Sequence, residues 1–306
     1  ATSSATITFV DNTVSDNTSA GSSPANGGGI YAEVPAGTLT LERNRLTGNA
    51  AGPGAGAEIS GKTLKLAGNV VAGNIQSGST LNGGGLKIVP STRLDMVNNT
   101  VTGNSAEGQG GGAWISVAGS SEILAVHNNI LWGNTAAGLG GDVYVSGTGS
   151  SKVFTFNCVG DVSGLWDVFS DNTNAAPVFY DAADHDYHLM PGSPCLDAGK
   201  NDAPVLPSVD IDGEPRVVNA QVDIGADEMP PVTDTHPADI DADWTISAAE
   251  YTDYAAAWKT NGVWSAPPGP ATADFATRAG FLRQQNDGAY QNSGGKKPVC
   301  WTTESN

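Results

Sequence analysis

The chain has 306 residues, 40 of them Gly, with 15% charged and 7% aromatic residues and a formal net charge of −18. That much glycine excludes a compact helical bundle, because each helix-interior Gly costs about 1 kcal/mol relative to Ala, and it favours an architecture of many tight turns. The acidic balance excludes nucleic acid as a partner, since phosphate would be repelled.

The charge is unevenly placed. Residues 1–157 hold nine acids and seven bases, whereas residues 196–250 hold thirteen acids and two bases. The second region is a candidate for hard cations, whose preferred ligands are carboxylate oxygens. No apolar run approaches the roughly 20 residues that span a bilayer. The sequence opens without an initiator Met or a signal-peptide pattern, as expected of a mature form or an excised fragment.

A repeat dominates the first half. Asn12-Thr13-Val14-Ser15-Asp16-Asn17 recurs at Asn44–Asn49, Asn69–Asn74, Asn99–Asn104 and Asn129–Asn134. The two Asn stand five residues apart in every copy, and the copies follow at intervals of 32, 25, 30 and 30 residues. After each comes a Gly cluster and a short apolar alternation, as in Gly83-Gly84-Gly85-Leu86-Lys87-Ile88 and Gly140-Gly141-Asp142-Val143-Tyr144-Val145. Variable spacing suits a β-solenoid with loops of unequal length. Period-two alternation points Leu39, Leu41, Leu64 and Leu66 inward. Windings about 4.8 Å apart would stack identical Asn amides into hydrogen-bonded columns. Asn also tolerates the left-handed backbone of a sharp corner.

Residues 5–157 therefore resemble bacterial parallel β-helix proteins, including the repeats of polymorphic outer-membrane proteins. The fold class expected is all-β, a right-handed parallel β-helix (a single-stranded solenoid), followed by a small α-helical C-terminal module.

Regularity decays after Cys158. The series Pro191-Gly192-Ser193-Pro194-Cys195-Leu196-Asp197-Ala198-Gly199, Asp210-Ile211-Asp212-Gly213-Glu214-Pro215-Arg216 and Val222-Asp223-Ile224-Gly225-Ala226-Asp227-Glu228 resembles the segment closing choice-of-anchor Q type secreted proteins. That resemblance implies an extracellular location and no catalytic activity. A solenoid's open ends would template aggregation, so residues 158–229 are expected to cap it and complete a domain of residues 1–229. Asp210, Asp212 and Glu214 could hold a cation, although turns held by Asp side chains are the favoured reading. Of Cys158, Cys195 and Cys300, at most one intramolecular pair can form. Cys158 with Cys195 is the favoured pairing, and small buried thiols are the alternative.

Pro230-Pro231 marks a linker to a second domain, residues 230–306. There Asp239, Asp241 and Asp243 stand at loop positions 1, 3 and 5, Thr245 at 7, Ser247 at 9 and Glu250 at 12. This is the EF-hand layout, which wraps carboxylate, carbonyl and water oxygens around one calcium ion. The loop resembles those of dockerin-like modules, which implies Ca2+ and a cohesin-like or cell-surface partner. It departs from them in having Trp244 at the usual Gly position and no visible second loop. Tyr251–Lys259 reads as the exiting helix, with Tyr254 and Trp258 on one face, and residues 274–290 as a second helix and turn.

An enzyme reading rests on less. The strand-borne bases Arg43, Arg45, Lys65, Lys87 and Arg93 are scattered. The densest acid–base cluster, Asp181, Asp184, His185, Asp186 and His188, sits in a turn-like segment. The residues favour a monomeric, non-catalytic structural, adhesive or anchoring module. The alternative is a carbohydrate-active β-helix, a polysaccharide binder, lyase or hydrolase, with Trp114, Trp132 and Tyr144 as exposed sugar platforms.

Overall fold

A computed structural model describes residues 4–19, 27–77, 82–117, 119, 121–148, 151–190, 192–218, 220–229, 236, 238–239, 245–260, 273–284, 290–292 and 301–302. The chain forms two compact units, one of residues 1–178 and 192–228, the other of residues 179–191 and 229–306.

The first unit is a parallel β-solenoid of about five turns. One long sheet carries Thr6–Val10, Ile30–Glu42, Ala57–Ala67 and Leu86–Val97, continued by Ala113–Ser116 and Val143–Ser146 and by Ile123–His127, Ser151–Thr155 and Val168–Ser170. A second sheet stacks Thr13–Ser15, Arg45–Thr47, Val70–Ala72, Thr100–Thr102, Ile130–Trp132 and Cys158–Val159. A third holds the two-residue strands Ala50–Ala51, Ile75–Gln76, Ser105–Ala106 and Thr135–Ala136. Every pairing among them is parallel, and beyond the register shifts at Val34–Thr38 and Gly61–Thr63 the strands align so that Leu39, Leu64, Leu94 and Leu124 fall in one inward column. With Leu41, Leu66, Met96, Val126 and Phe154 they form a core that is essentially closed to solvent.

The asparagines stand in two columns. Along the first, each side-chain amide donates to the next Asn Oδ1, from Asn12 through Asn44, Asn69, Asn99, Asn129 and Asn157 to Asn172, at 2.8–3.1 Å. The second runs from Asn17 through Asn49, Asn74 and Asn104 to Asn134 at 2.8–2.9 Å, with one rung of 3.0 Å. Each interior Oδ1 also accepts the backbone N–H of the preceding rung's Asn, as Asn99 does from Asn69 at 3.0 Å. Each interior amide also donates to a carbonyl of the winding before, as Asn99 does to Leu66 at 3.0 Å. The interior side chains, Asn44 to Asn157 and Asn49 to Asn134, are buried and fully bonded, which offsets their desolvation cost.

One detail corrects the expectation for the corners. The left-handed residue is not the column Asn but its predecessor: Arg43, Gly68, Asn98, Asn128 and Phe156 in the first column, Gly48, Gly73, Gly103 and Gly133 in the second. The Asn supplies its side chain and the residue before it supplies the bend. The Gly clusters divide their work similarly. Gly110 has φ +65°, whereas the third glycine of the preceding cluster, Gly85, leaves no room for a Cβ, which would meet the Gly112 carbonyl at 2.6 Å and the Asn104 amide at 3.0 Å.

Residues 158–229 do two things where one was expected. Up to Asn172 they extend the solenoid, and Phe169 stacks on the core residue Phe154 at 5.3 Å while Trp166 tilts against it at 4.8 Å, so aromatics cover that end. Residues 193–228 instead run along the flank. Lys200 N–H donates to Asn128 Oδ1 at 2.7 Å, Asn98 donates to the Asp223 carbonyl at 2.7 Å, Ala226 N–H donates to Thr100 Oγ1 at 3.0 Å, and Arg45 pairs with Asp212 at 2.9 Å. The segment is a strap across successive windings. Arg216 anchors it from within: only 1% exposed, it donates to the carbonyls of Ala226, Asp223 and Gly225.

In the second unit, helix α1 (Ala248–Thr260) and helix α2 (Ala273–Gln284) pack through Tyr254, Ala276, Ala279 and Leu282, with Ile246 and Tyr290 in the same cluster. Tyr254 is fully buried, but Trp258 on the same face is 39% exposed. No helix among the described residues is long and apolar enough to cross a membrane.

Candidate functional site

The calcium-loop candidates begin at Asp239. Its N–H donates to the His236 carbonyl at 2.8 Å, and its Oδ2 accepts the Tyr290 hydroxyl at 2.7 Å. The same Tyr290 oxygen accepts the His236 N–H at 2.6 Å. His236 is buried; its Nδ1 accepts from Ala238 N–H at 3.0 Å, which leaves Nε2 as the donor to the Phe275 carbonyl at 3.2 Å. Burial pushes its pKa down to about 4, so the ring is neutral. One end of the loop is thus fixed against α2 and Tyr290.

The other end is fixed by a capping box. Ser247 Oγ accepts the Glu250 N–H at 3.2 Å, and Glu250 Oε2 accepts the Ser247 N–H at 2.8 Å. This reciprocal pair satisfies two donors at the start of α1. It also turns the Glu250 carboxylate back toward Ser247. Ile246 is fully buried, as the apolar eighth position of such a loop should be. Thr245 is half-buried and Ser247 exposed. Asp241, Asp243 and Trp244 lie outside the described residues. The described donors, two carboxylates, a carbonyl and a hydroxyl, have the all-oxygen chemistry that suits a hard cation.

Four of the five strand-borne bases are tied to carboxylates. Arg43 pairs with Asp11 at 2.8 Å and also with Glu42, Arg45 with Asp212 at 2.9 Å, Lys87 with Glu58 at 2.6 Å, and Arg93 with Asp95 at 2.6 Å. Lys65 stands half-buried between Thr40 and Asp95 in the same outward column. The acid–base cluster of residues 181–188 is a hairpin turn. Asp181 Oδ1 accepts from Asp184 N–H at 3.3 Å, His185 has φ +63°, and Asp186 bonds both the N–H and the ring of His188. Asp210, for which the sequence favoured a turn over a cation ligand, spends its carboxylate on the N–H groups of Asp212, Glu214 and Glu228 at 2.8–3.2 Å, which is turn geometry.

The aromatics divide. Trp114 and Tyr144 share an outward row of the long sheet, in register with Tyr31, Glu58 and Lys87. Trp132 stands apart, on the second sheet beside Thr102. Tyr31, which the sequence did not single out as a platform, is 47% exposed at the start of that row. Its place after a Gly cluster, two residues before Glu33 in an alternating strand, was the available signal.

Another feature missed in the sequence is the buried acidic group within the strap. Asp210, Asp223, Asp227 and Glu228 are all at most 5% exposed, with Arg216 among them. Burial first, and the neighbouring Asp223 charge second, push Glu228 up to about 8.

No curated protein and no solved structure matches the chain significantly. Residues 1–131 match the family model described as the right handed beta helix region. That match and the stacked parallel windings together support a right-handed β-helix protein.

Proposed function

We propose that this protein is a secreted or cell-surface, non-catalytic β-helix module, a structural, adhesive or anchoring element whose C-terminal unit is stabilised by calcium. The observation that carries the first part is the pairing of Arg43, Arg45, Lys87 and Arg93 with carboxylates. A polysaccharide lyase needs a free base and cations that neutralise a uronate, and here these charges are spent within their own winding, on neighbouring windings or on the strap. The winding-to-winding bonding of buried Asn suits a stiff rod.

Calcium would be held by Asp239, Asp241, Asp243, the Thr245 carbonyl, Ser247 through a water, and Glu250. The ion supplies a point of charge that ties the loop to the start of α1. The anchoring of Asp239 by Tyr290 and the backward-facing Glu250 support this reading. A cohesin-like partner follows only from the resemblance of the loop.

A second reading, polysaccharide binding, is favoured by the row Tyr31, Glu58, Lys87, Trp114 and Tyr144. Sugar rings stack on aromatic faces, and the Glu58–Lys87 pair offers polar contacts between them.

Incubation with acidic and neutral polysaccharides, following both binding and new reducing or unsaturated ends, separates the readings. The module reading predicts no new ends. Binding without turnover establishes the second reading, and any turnover overturns the first.

A further inference from the structure

The strap and the last full winding each present a cysteine to the same buried boundary. Cys158 pairs in register with Ile130, in the outward column that also holds Arg45, Val70 and Thr100. Its neighbours in that column already meet the strap: Arg45 meets Asp212, Thr100 meets Ala226, and Ile130 packs at Gly225. Cys195 begins the strap, and its carbonyl accepts the Ile224 N–H at 2.8 Å.

Both cysteines are fully buried free thiols. Cys158 Sγ donates to the Ala175 carbonyl at 3.3 Å, and interaction with the Cys195 side chain, ahead of burial, pushes the Cys158 thiol far above its ordinary value. Neither backbone is free to swing away. Cys158 N–H donates to the Asn129 carbonyl at 2.8 Å and the residue bridges Thr173, while Cys195 is held through Ile224.

We propose that Cys158 and Cys195 are a disulfide site, which on oxidation staples the strap to the last winding. The oxidant is a low-molecular-weight disulfide. One cysteine thiolate attacks it and releases one small thiol, leaving a mixed disulfide. The second cysteine thiolate attacks the protein sulfur of that mixed disulfide and expels the second small thiol. Two protein thiols and one small disulfide thus become one protein disulfide and two small thiols. Because both sulfurs are buried, the exchange takes place during folding or while the strap is open locally. Once formed, the bond is shielded from reductants by the same burial. It constrains a loop of the unfolded chain and so stabilises the closed strap.

The test uses the full chain carrying Cys300→Ser, so that only this pair can bridge within a molecule. The protein is refolded with glutathione disulfide, free thiols are alkylated in denaturant, and the chain is cut before aspartates, which places Cys158 and Cys195 in separate peptides. The expected result is a joined pair of peptides, lighter than their sum by two hydrogens, and a melting temperature that falls on reduction. The fall should vanish in a Cys195→Ser variant. Complete alkylation of both cysteines after refolding with oxidant would overturn the proposal. So would a mixed disulfide that persists without resolving onto the partner cysteine.

Discussion

Asn134 donates its side-chain amide to Asp142 Oδ1 at 2.9 Å, where every earlier rung of that column ends on another asparagine. The last winding has no Asn at the corresponding position, and Asp142 fills the gap from the Gly cluster. Its Oδ2 takes the N–H groups of Gly160 and Asp161 at 3.0 and 2.8 Å. An aspartate accepts on both oxygens, whereas an amide cannot. Asp142→Asn should therefore leave an amide facing two backbone donors and cost about 1–3 kcal/mol. Chemical denaturation of the full chain measures this. An unchanged midpoint would mean that the column does not end on this carboxylate.

The strap depends on close approach at Gly225. Its φ is +111°, and a Cβ there would lie 2.6 Å from Ile130 Cδ1. Gly225→Ala combines backbone strain with overpacking and should cost about 1–3 kcal/mol. Limited trypsin digestion gives the local readout. Cleavage after Arg216, buried in the native protein, should appear in the variant long before the solenoid unfolds. Equal protection of both proteins would contradict the close packing of the strap.

Glu228 makes stability depend on pH. Its pKa is raised to about 8, chiefly by burial, against an ordinary 4.5. Arg216 Nε opposes this from 3.9 Å, beyond hydrogen-bonding distance. Between those two values the folded protein binds a proton that the unfolded chain releases. The contribution is therefore fully present below about 4.5 and is lost as pH rises through about 8. Unfolding free energies should fall across that window, and Glu228→Gln should flatten the slope. A slope of the opposite sign that Glu228→Gln removes would show that Glu228 is ionised in the folded state.

Calcium should raise the melting temperature of the C-terminal unit, and a ligand at 100 times its dissociation constant adds about 2.7 kcal/mol. Glu250→Gln keeps an oxygen to accept the Ser247 N–H but loses the charge. It should abolish the calcium shift with little effect in chelator, whereas Glu250→Ala should lose about 0.5–2 kcal/mol of helix capping even without the ion. Identical melting of the wild type in calcium and in chelator would remove calcium from the account.

The solenoid was legible because five Asn copies in phase carry a structural requirement at every winding. Asn157 and Asn172 escaped notice because the interval between them falls to 15 residues and their flanks lack the repeat's glycines. Asp142 was visible as the odd member of a Gly-Gly-Gly series, but its role depends on a partner eight residues back that only the fold brings round. The strap was not readable at all. Its bonds join residues up to 167 positions apart, and nothing local distinguishes a segment that covers an end from one that lies along a flank. At the loop, position counting named the ligand set. It could not give the Tyr290 hydroxyl that holds Asp239, since that residue lies 51 positions downstream.

The asparagine column itself is tested most directly by a double-mutant cycle on Asn69 and Asn99, which are joined at 2.8 Å. Asn69→Ala, Asn99→Ala and the double variant are compared by denaturant unfolding. Stacked amides predict that the double variant loses less than the sum of the singles, by about 1 kcal/mol or more. Strict additivity would mean that the two amides do not touch, and the column would not be what holds the windings together.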